Sequence, residues 1–551
     1  MYVDASTVRR GNKTYTRYLL RESFREAGKV KHRTIANLSQ CSAPEIEAIR
    51  LALTHKHTLT DLGSIHDAVQ LRQGASVGAV ALLYALAQQI GLTQALGPGR
   101  EASLALWQVI ARVIDQGSRL SAVRLARHHG AQELLGLARF DEDDLYANLD
   151  WLCENQPRIE QRLFDQHSRQ DHGGLFLYDV TSSYLEGEHN ELAAFGYNRD
   201  GKRGKRQIVI GLLCDAQGTP LCIEVFEGNT QDPKTFVPQV KKVAARFGAQ
   251  DVTFVGDRGM IKSAQIEALG ERGFHYITAI TKPQIERLLK QGTFQIGLFD
   301  DALAEVQEHG GVRYVLRRNG QRAREMADTR QDKYRVLAQA VKIQNGYLAE
   351  HKRAKPEVAL RKLQAHAHKL GVNSWLSFGQ QERILSLVED SEVLAEASRL
   401  DGCYALKTDL PLASAAKELV HARYKDLAQV EWAFRCAKTV HLDMRPIFVR
   451  RASRTRGHAL VVMLAYRLIQ ELASRWSALD LTVQEGIDML ASLCLVEVQV
   501  NGQVPFNQIP QPSQAVQSLL DAACVRLPSA LPGKKGSVST KAKLQNRRKR
   551  K

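Results

Sequence analysis

The stretch Leu175-Phe-Leu-Tyr-Asp-Val-Thr-Ser-Ser183 reads as a buried β-strand with a carboxylate, Asp179, set in its middle. An ionised group in an apolar strand is costly unless a partner compensates it. A second apolar run, Val252-Thr-Phe-Val-Gly-Asp257, ends on another acid. If the two strands are parallel neighbours, Asp257 emerges beyond a C-terminal strand end, where open sheets place their ligands, within reach of Asp179. Two such carboxylates repel each other and take up a proton or a cation. Oxygen-only ligands suit Mg²⁺ or Mn²⁺ rather than zinc. Taken singly, either Asp is equally well explained as a turn former or helix cap.

Strand signals dominate from 175 to 281. Residues 207–214 turn at Asp215-Ala-Gln-Gly218 into 220–226, a helical pattern lies between Asp232 and Phe247, and further strands come at 251–256 and 274–281. Three strands joined by tight turns, then a helix and two more strands, predict an α/β or α+β sheet with an antiparallel edge.

The third acid lies on a predicted helix, Tyr424-Lys-Asp-Leu-Ala-Gln-Val-Glu-Trp-Ala-Phe-Arg-Cys-Ala-Lys438. Tyr424, Leu427, Glu431, Arg435 and Lys438 recur every three or four residues and so share one stripe, while Val430, Phe434 and Ala437 face the core. A Glu among cations on a helix is more often a solvated salt-bridge face; the other two acids and the spacing weigh against that reading.

These residues resemble an insertion-sequence transposase of the DDE type, with an RNase H-like catalytic domain, in the branch marked by Tyr, two residues, Arg, three residues, Glu, six residues, Lys. Tyr424, Glu431 and Lys438 stand at that spacing, and Leu427 stands where the branch has Arg. Asp257-Arg-Gly-Met260 is similar to the second-Asp motif, with Met260 in the aromatic place. The resemblance covers about 170 to 475 and, more loosely, 3 to 38. It implies that Asp179, Asp257 and Glu431 are catalytic and hold two Mg²⁺ (or Mn²⁺) ions, and that Tyr424 and Lys438 face the phosphates of a DNA end. With Leu427 unable to contact phosphate, Arg435 is the expected substitute. The implied function is to bind the terminal inverted repeats of an element, cleave the ends and transfer the 3′ ends to target DNA. A related nuclease without strand transfer, or a decayed DNA-binding protein, are the alternatives; Leu427 and Met260 give the latter some support, and the three intact acids argue against it.

The rest of the chain agrees with a DNA partner. Its 551 residues suggest several domains, and the formal charge of +17 with pI near 9.5 points to a polyanion. Lys202, Arg203, Lys205 and Arg206 form a Gly-punctuated basic turn, and Arg450 and Arg451 belong to a basic run; both are read as contacts to DNA backbone, or else as solvated surface. Gly228-Asn-Thr-Gln-Asp232 resembles a motif of the same family, although Asn229 and Asp232 equally suit helix caps. The apolar windows are too short to span a bilayer, the N-terminus lacks a signal-peptide core, and eight isolated cysteines show no ligand spacing, so the expectation is a cytoplasmic, nucleoid-associated protein with no membrane role.

The predicted architecture is multidomain α/β: an RNase H-like mixed sheet flanked by helices, an inserted subdomain and a helical N-terminal DNA-binding region. Its divisions are 1–43, a basic β-hairpin; 44–165, the helical DNA-binding domain; 170–282 and 401–475, the two parts of the catalytic domain; 283–400, the insertion; 476–532, a helical region; and 533–551, a tail. The tail holds nine Lys or Arg and no acid, a composition that predicts disorder. A homodimer on double-stranded DNA, element ends and target, is implied by family analogy.

Overall fold

The computed structural model describes residues 1–11, 13–57, 69–168, 174–187, 189–244, 252–308, 311–444, 447–500 and 506–531. The tail expected at 533–551 and Arg445 lie outside these. The described residues form two compact units, one drawn from 1–75, 493–511 and 528–531, the other from 76–492 and 512–527.

The first unit opens with an antiparallel sheet in the order β1 (Tyr2–Arg10), β2 (Lys13–Glu26), β3 (Lys29–Asn37). In place of the expected hairpin there is thus a three-stranded sheet. Its second turn, Ala27-Gly28, has positive φ at both residues (49° and 72°), the primed-turn geometry that matches strand twist. Helix Ala43–Thr54 comes next, with Pro44 in its first turn and a Ser42/Glu45 capping box. Where helices were expected, β4 (Val69–Ser76) pairs within this unit with a strand from the C-terminal region, in a second sheet.

In the second unit β5 (Leu175–Tyr184), β6 (Gln207–Cys214), β7 (Pro220–Glu227), β8 (Thr253–Gly256) and β9 (His275–Ala279) lie in the order β7-β6-β5-β8-β9. Strands β5, β8 and β9 are mutually parallel, while β6 and β7 are antiparallel. This is the RNase H-like arrangement. Phe176, Tyr178, Phe236, Phe254 and Tyr276 are buried in one core cluster on it.

The sheet continues beyond β9. Strands β10 (Ala304–Gln307) and β11 (Arg313–Arg318) join it through β14 (Cys403–Thr408), giving eight strands in all. These two strands fall inside the expected insertion of 283–400 and correct its boundary. Arg313 pairs with Thr408, a partner so distant along the chain that no local pattern announces it. The part that stands apart from the sheet comes after β11: helices Gly320–Glu350 and Pro356–Leu370, the hairpin β12 (Leu376–Gln381) and β13 (Ile384–Glu389), and helix Ser391–Ser398. Leu337, Ala367, Trp375 and Leu376 form a separate small core there. The element is mostly helical, with a single hairpin.

Helices Glu142–Ser168 and Ala452–Arg475 pack on β7, and Gly78–Gln89 and Arg100–Ile114 pack in turn against Ala452–Arg475. A Cβ on Gly457 would stand 2.1 Å from the Leu149 carbonyl oxygen, so this close helix crossing requires glycine. In the region expected to bind DNA, Arg112 and Arg119 are buried, and the Arg119 guanidinium lies 2.8 Å from His458 Nδ1. Part of that basic stretch is therefore core.

The expected helical region 476–532 is likewise mixed. It contains β15 (Cys494–Val500) and β16 (Phe506–Gln508), which form the sheet β16-β15-β4 within the first unit. No helix among the described residues is long and apolar enough to cross a membrane.

Candidate active site

Parallel pairing sets the first two acids side by side. Tyr178 of β5 is in register with Gly256, the last residue of β8, so Asp179 and Asp257 are each one residue beyond the paired position. Past Gly256, β5 remains paired with β6 on one side, and helix Leu427–Arg435 packs against it. Val430, Ala433 and Phe434 are buried on that helix, which leaves Glu431 on its exposed side.

Asp179, Asp257 and Glu431 line one cavity of about 770 Å³ and, from another side, a second of about 290 Å³. Burial, reinforced by the charges of Asp257 and Glu431, pushes the Asp179 carboxyl up to about 7, against the opposing pull of the Val180 N–H and of Arg199. Asp257 Oδ1 accepts the Arg258 backbone N–H at 2.7 Å and the Tyr424 hydroxyl at 3.3 Å. Burial, then the Asp257 charge, raises the Tyr424 phenol above its ordinary range.

The predicted helix 424–438 is not continuous. Helix Lys417–Lys425 ends, Asp426 intervenes, Leu427–Arg435 comes next, and Cys436–Val440 forms a π-helical turn. Tyr424, Leu427 and Glu431 stay together on the cavity wall. The other two members of the stripe leave it. The Arg435 guanidinium lies over the Trp432 ring, 5.7 Å from its centroid, and Lys438 Nζ sits 2.8 Å from Asp200 Oδ1. A π-turn rotates the later residues relative to an α-helical register, so the three-and-four spacing no longer holds at Lys438. Lys425, which is not a member of the stripe, lines the cavity, together with Arg258, Lys282 and Arg322.

The basic turn is a folded loop. The Asn198 side-chain carbonyl accepts the N–H groups of Asp200 and Lys202 at 2.8 and 3.3 Å. Lys202 lies over the Tyr184 ring, Lys205 pairs with Glu186 at 3.1 Å, Arg206 lies over Phe195, and Arg203 is exposed. Arg450 and Arg451 are exposed; the carbonyl of Arg451 receives the Thr455 N–H at the start of helix Ala452–Arg475. None of these six lines the carboxylate cavities.

Residue reading undervalued one pair. Arg199 Nη2 lies 2.5 Å from both carboxylate oxygens of Asp232, and both residues line the smaller cavity with the three acids. Asp232 therefore does not serve as a side-chain cap. Its place in Gly228-Asn-Thr-Gln-Asp232 was the available signal.

The donor set, carboxylate oxygens at a site where burial and then the neighbouring acids drive one carboxyl toward protonation, fits a hard divalent cation. Among the described residues no three His, Cys, Asp or Glu side chains are drawn together as a formed metal centre, so the three acids share the cavity without converging on a single point.

Known proteins resemble both the N-terminal part and the sheet-bearing part of the chain. Residues 4–61 match the model of the IS1634 family transposase N-terminal domain, and residues 172–468 match that of the transposase DDE domain. No curated protein matches the chain. Among solved structures, a cryo-EM structure of the piggyBac transposase synaptic complex with hairpin DNA is similar at 10% identity and a TM-score of 0.33, over 75% of this chain and 76% of that one. Because the DDE match alone spans more than half of its residues, the chain belongs to the DDE transposases, enzymes of DNA transposition.

Proposed function

We propose that the protein binds the terminal inverted repeats of its own element, cleaves the DNA there and joins the 3′ ends to target DNA. The observation that carries this reading is the gathering of Asp179, Asp257 and Glu431, from two parallel strands and one helix, around a single open cavity. Two Mg²⁺ or Mn²⁺ ions held by these acids would supply an activated water or 3′-hydroxyl and neutralise the leaving oxygen.

The chain's own residues set the stage. The sheet fixes Asp179, whose backbone is paired with Leu212 of β6. Tyr424 donates to Asp257 and keeps that carboxylate turned to the cavity. Arg258, Lys282, Arg322 and Lys425 ring the same cavity and suit the phosphates flanking a scissile bond. They provide the charge that Leu427 lacks. Lys202, Arg203, Lys205, Arg206, Arg450 and Arg451 are exposed cations suited to DNA backbone farther out. Both ends of an element must meet in one complex, so two copies act on double-stranded DNA, in the cytoplasm at the nucleoid.

The test is incubation with a supercoiled plasmid carrying the DNA that flanks the coding sequence. Divalent-dependent cutting at the repeat boundary and joined products are expected. Cutting without joining identifies a nuclease, and binding without cutting identifies a decayed protein; either overturns the proposal.

A further inference from the structure

The N-terminal sheet is built as two arms. Strand β2 pairs with β1 alone over Lys13–Tyr18, with β3 alone over Glu22–Glu26, and with both only near Leu19–Arg21. The first arm, residues 5–10 against 13–18, is thus a two-stranded antiparallel ribbon. It contains Arg9, Arg10, Lys13 and Arg17 and no acid. Across the whole sheet the three acids are already engaged: Asp4 with Arg21 at 2.9 Å, Glu22 with Arg33 at 2.6 Å, and Glu26 with Lys31. Arg9 and Arg17 are exposed, and no ion pair engages them among the described residues.

The ribbon has two unlike faces. Pairing of Ser6 with Arg17 and of Val8 with Tyr15 places these four on one face. Tyr18 lies on the other, where the Arg50 guanidinium of helix Ala43–Thr54 sits 5.9 Å from its ring centroid. The Ser6–Arg17 face is uncovered. Val8 and Tyr15 on it are cross-strand partners, 54% and 57% exposed, and stand side by side beside Arg17. A two-stranded ribbon is also the width that the major groove of duplex DNA, about 12 Å across, admits. A forked guanidinium, a hydroxyl and a phenol suit base edges and phosphates, and an apolar Val suits a thymine methyl. Charge complementarity selects the occupant: a surface with cations and no free acid fits a polyanion rather than an added protein strand.

We propose that the ribbon 5–18 enters the major groove of the element's end and reads its sequence through the Ser6–Arg17 face. This rests on the function proposed above and assigns its recognition step to the first unit, instead of the helical region at 78–168, where Arg112 and Arg119 are buried.

The experiment uses the full chain and fluorescence anisotropy with two duplexes, one copying the DNA that flanks the coding sequence and one with the same bases shuffled. Wild-type protein and Glu431→Gln are expected to prefer the flanking duplex. Arg17→Lys keeps the charge but loses the fork, so it is expected to hold the shuffled duplex normally and bind the flanking one about tenfold or more weakly. Tyr15→Ala is expected to lose preference in the same direction. If wild type shows no preference between the duplexes, the proposed end-binding function fails. If wild type discriminates and both ribbon variants discriminate equally well, the ribbon is not the reader. Equal loss on both duplexes makes it a sequence-blind clamp and also overturns the inference.

Discussion

Lys438 Nζ lies 2.8 Å from Asp200 Oδ1, and the two side chains are only 11% and 2% exposed. The pair ties the π-turn after helix Leu427–Arg435 to the basic loop after β5, and Asp200 Oδ2 also accepts the Tyr184 N–H at 3.2 Å. Removing one partner takes this ion pair away from a charge that stays buried, which costs about 3–5 kcal/mol. Lys438→Met is therefore expected to lower the unfolding temperature markedly, and Asp200→Asn with Lys438→Met to lose less than the two single losses added. Calorimetry on the three variants checks this; an unchanged unfolding temperature for Lys438→Met shows that the pair does not hold the loop.

Asp179→Asn, Asp257→Asn and Glu431→Gln should each abolish cleavage while leaving DNA affinity close to wild type, because cations supply most of the affinity and the acids supply the chemistry. Gel-shift and plasmid-cutting assays on the same preparations separate the two. Near-normal cutting by any one variant removes that residue from the site.

The Asp179 carboxyl titrates at about 7 in the folded chain, against an ordinary value of 3.8. Folding thus favours its protonated form. Without divalent ions, stability falls as pH rises from about 4 to about 7 and levels off above, where both folded and unfolded carboxyls are ionised. Asp179→Asn lacks this penalty, so its gain in unfolding temperature over wild type, measured in chelator, should be largest at pH 8 and should vanish near pH 4. Added Mg²⁺ should stabilise wild type increasingly as pH passes 7, with little effect on Asp179→Asn. A gain independent of pH would contradict the raised carboxyl.

Lys425 and Arg258 line the carboxylate cavity, whereas the Arg435 guanidinium rests on Trp432. Lys425→Ala and Arg258→Ala are expected to slow cleavage of a bound end by about 1–3 kcal/mol each, the worth of a charged hydrogen bond. Arg435→Ala is expected to change it little. Single-turnover cutting rates decide; the reverse order would return the missing phosphate contact to Arg435.

The acids of the site were legible in the sequence because each sits where its neighbours make it conspicuous: Asp179 inside an apolar strand, Asp257 at the end of another, Glu431 on a helix whose other side is apolar. Local alternation and helical spacing act over a few residues, and at those distances the chain alone determines which face a side chain takes. The same patterns marked five sheet strands. Tertiary structure decided the features that depend on distant partners. Strand β11 joins β14 rather than the insertion, β4 meets β15 across most of the chain, and Asp232 takes Arg199 instead of capping its helix. The stripe from Tyr424 to Lys438 failed for a related reason: a buried carboxylate at Asp200, more than two hundred residues earlier, holds the Lys438 ammonium, and the π-turn that delivers it there carries no sequence mark of its own. Pairing across such separations is set by which surfaces the folded chain brings together.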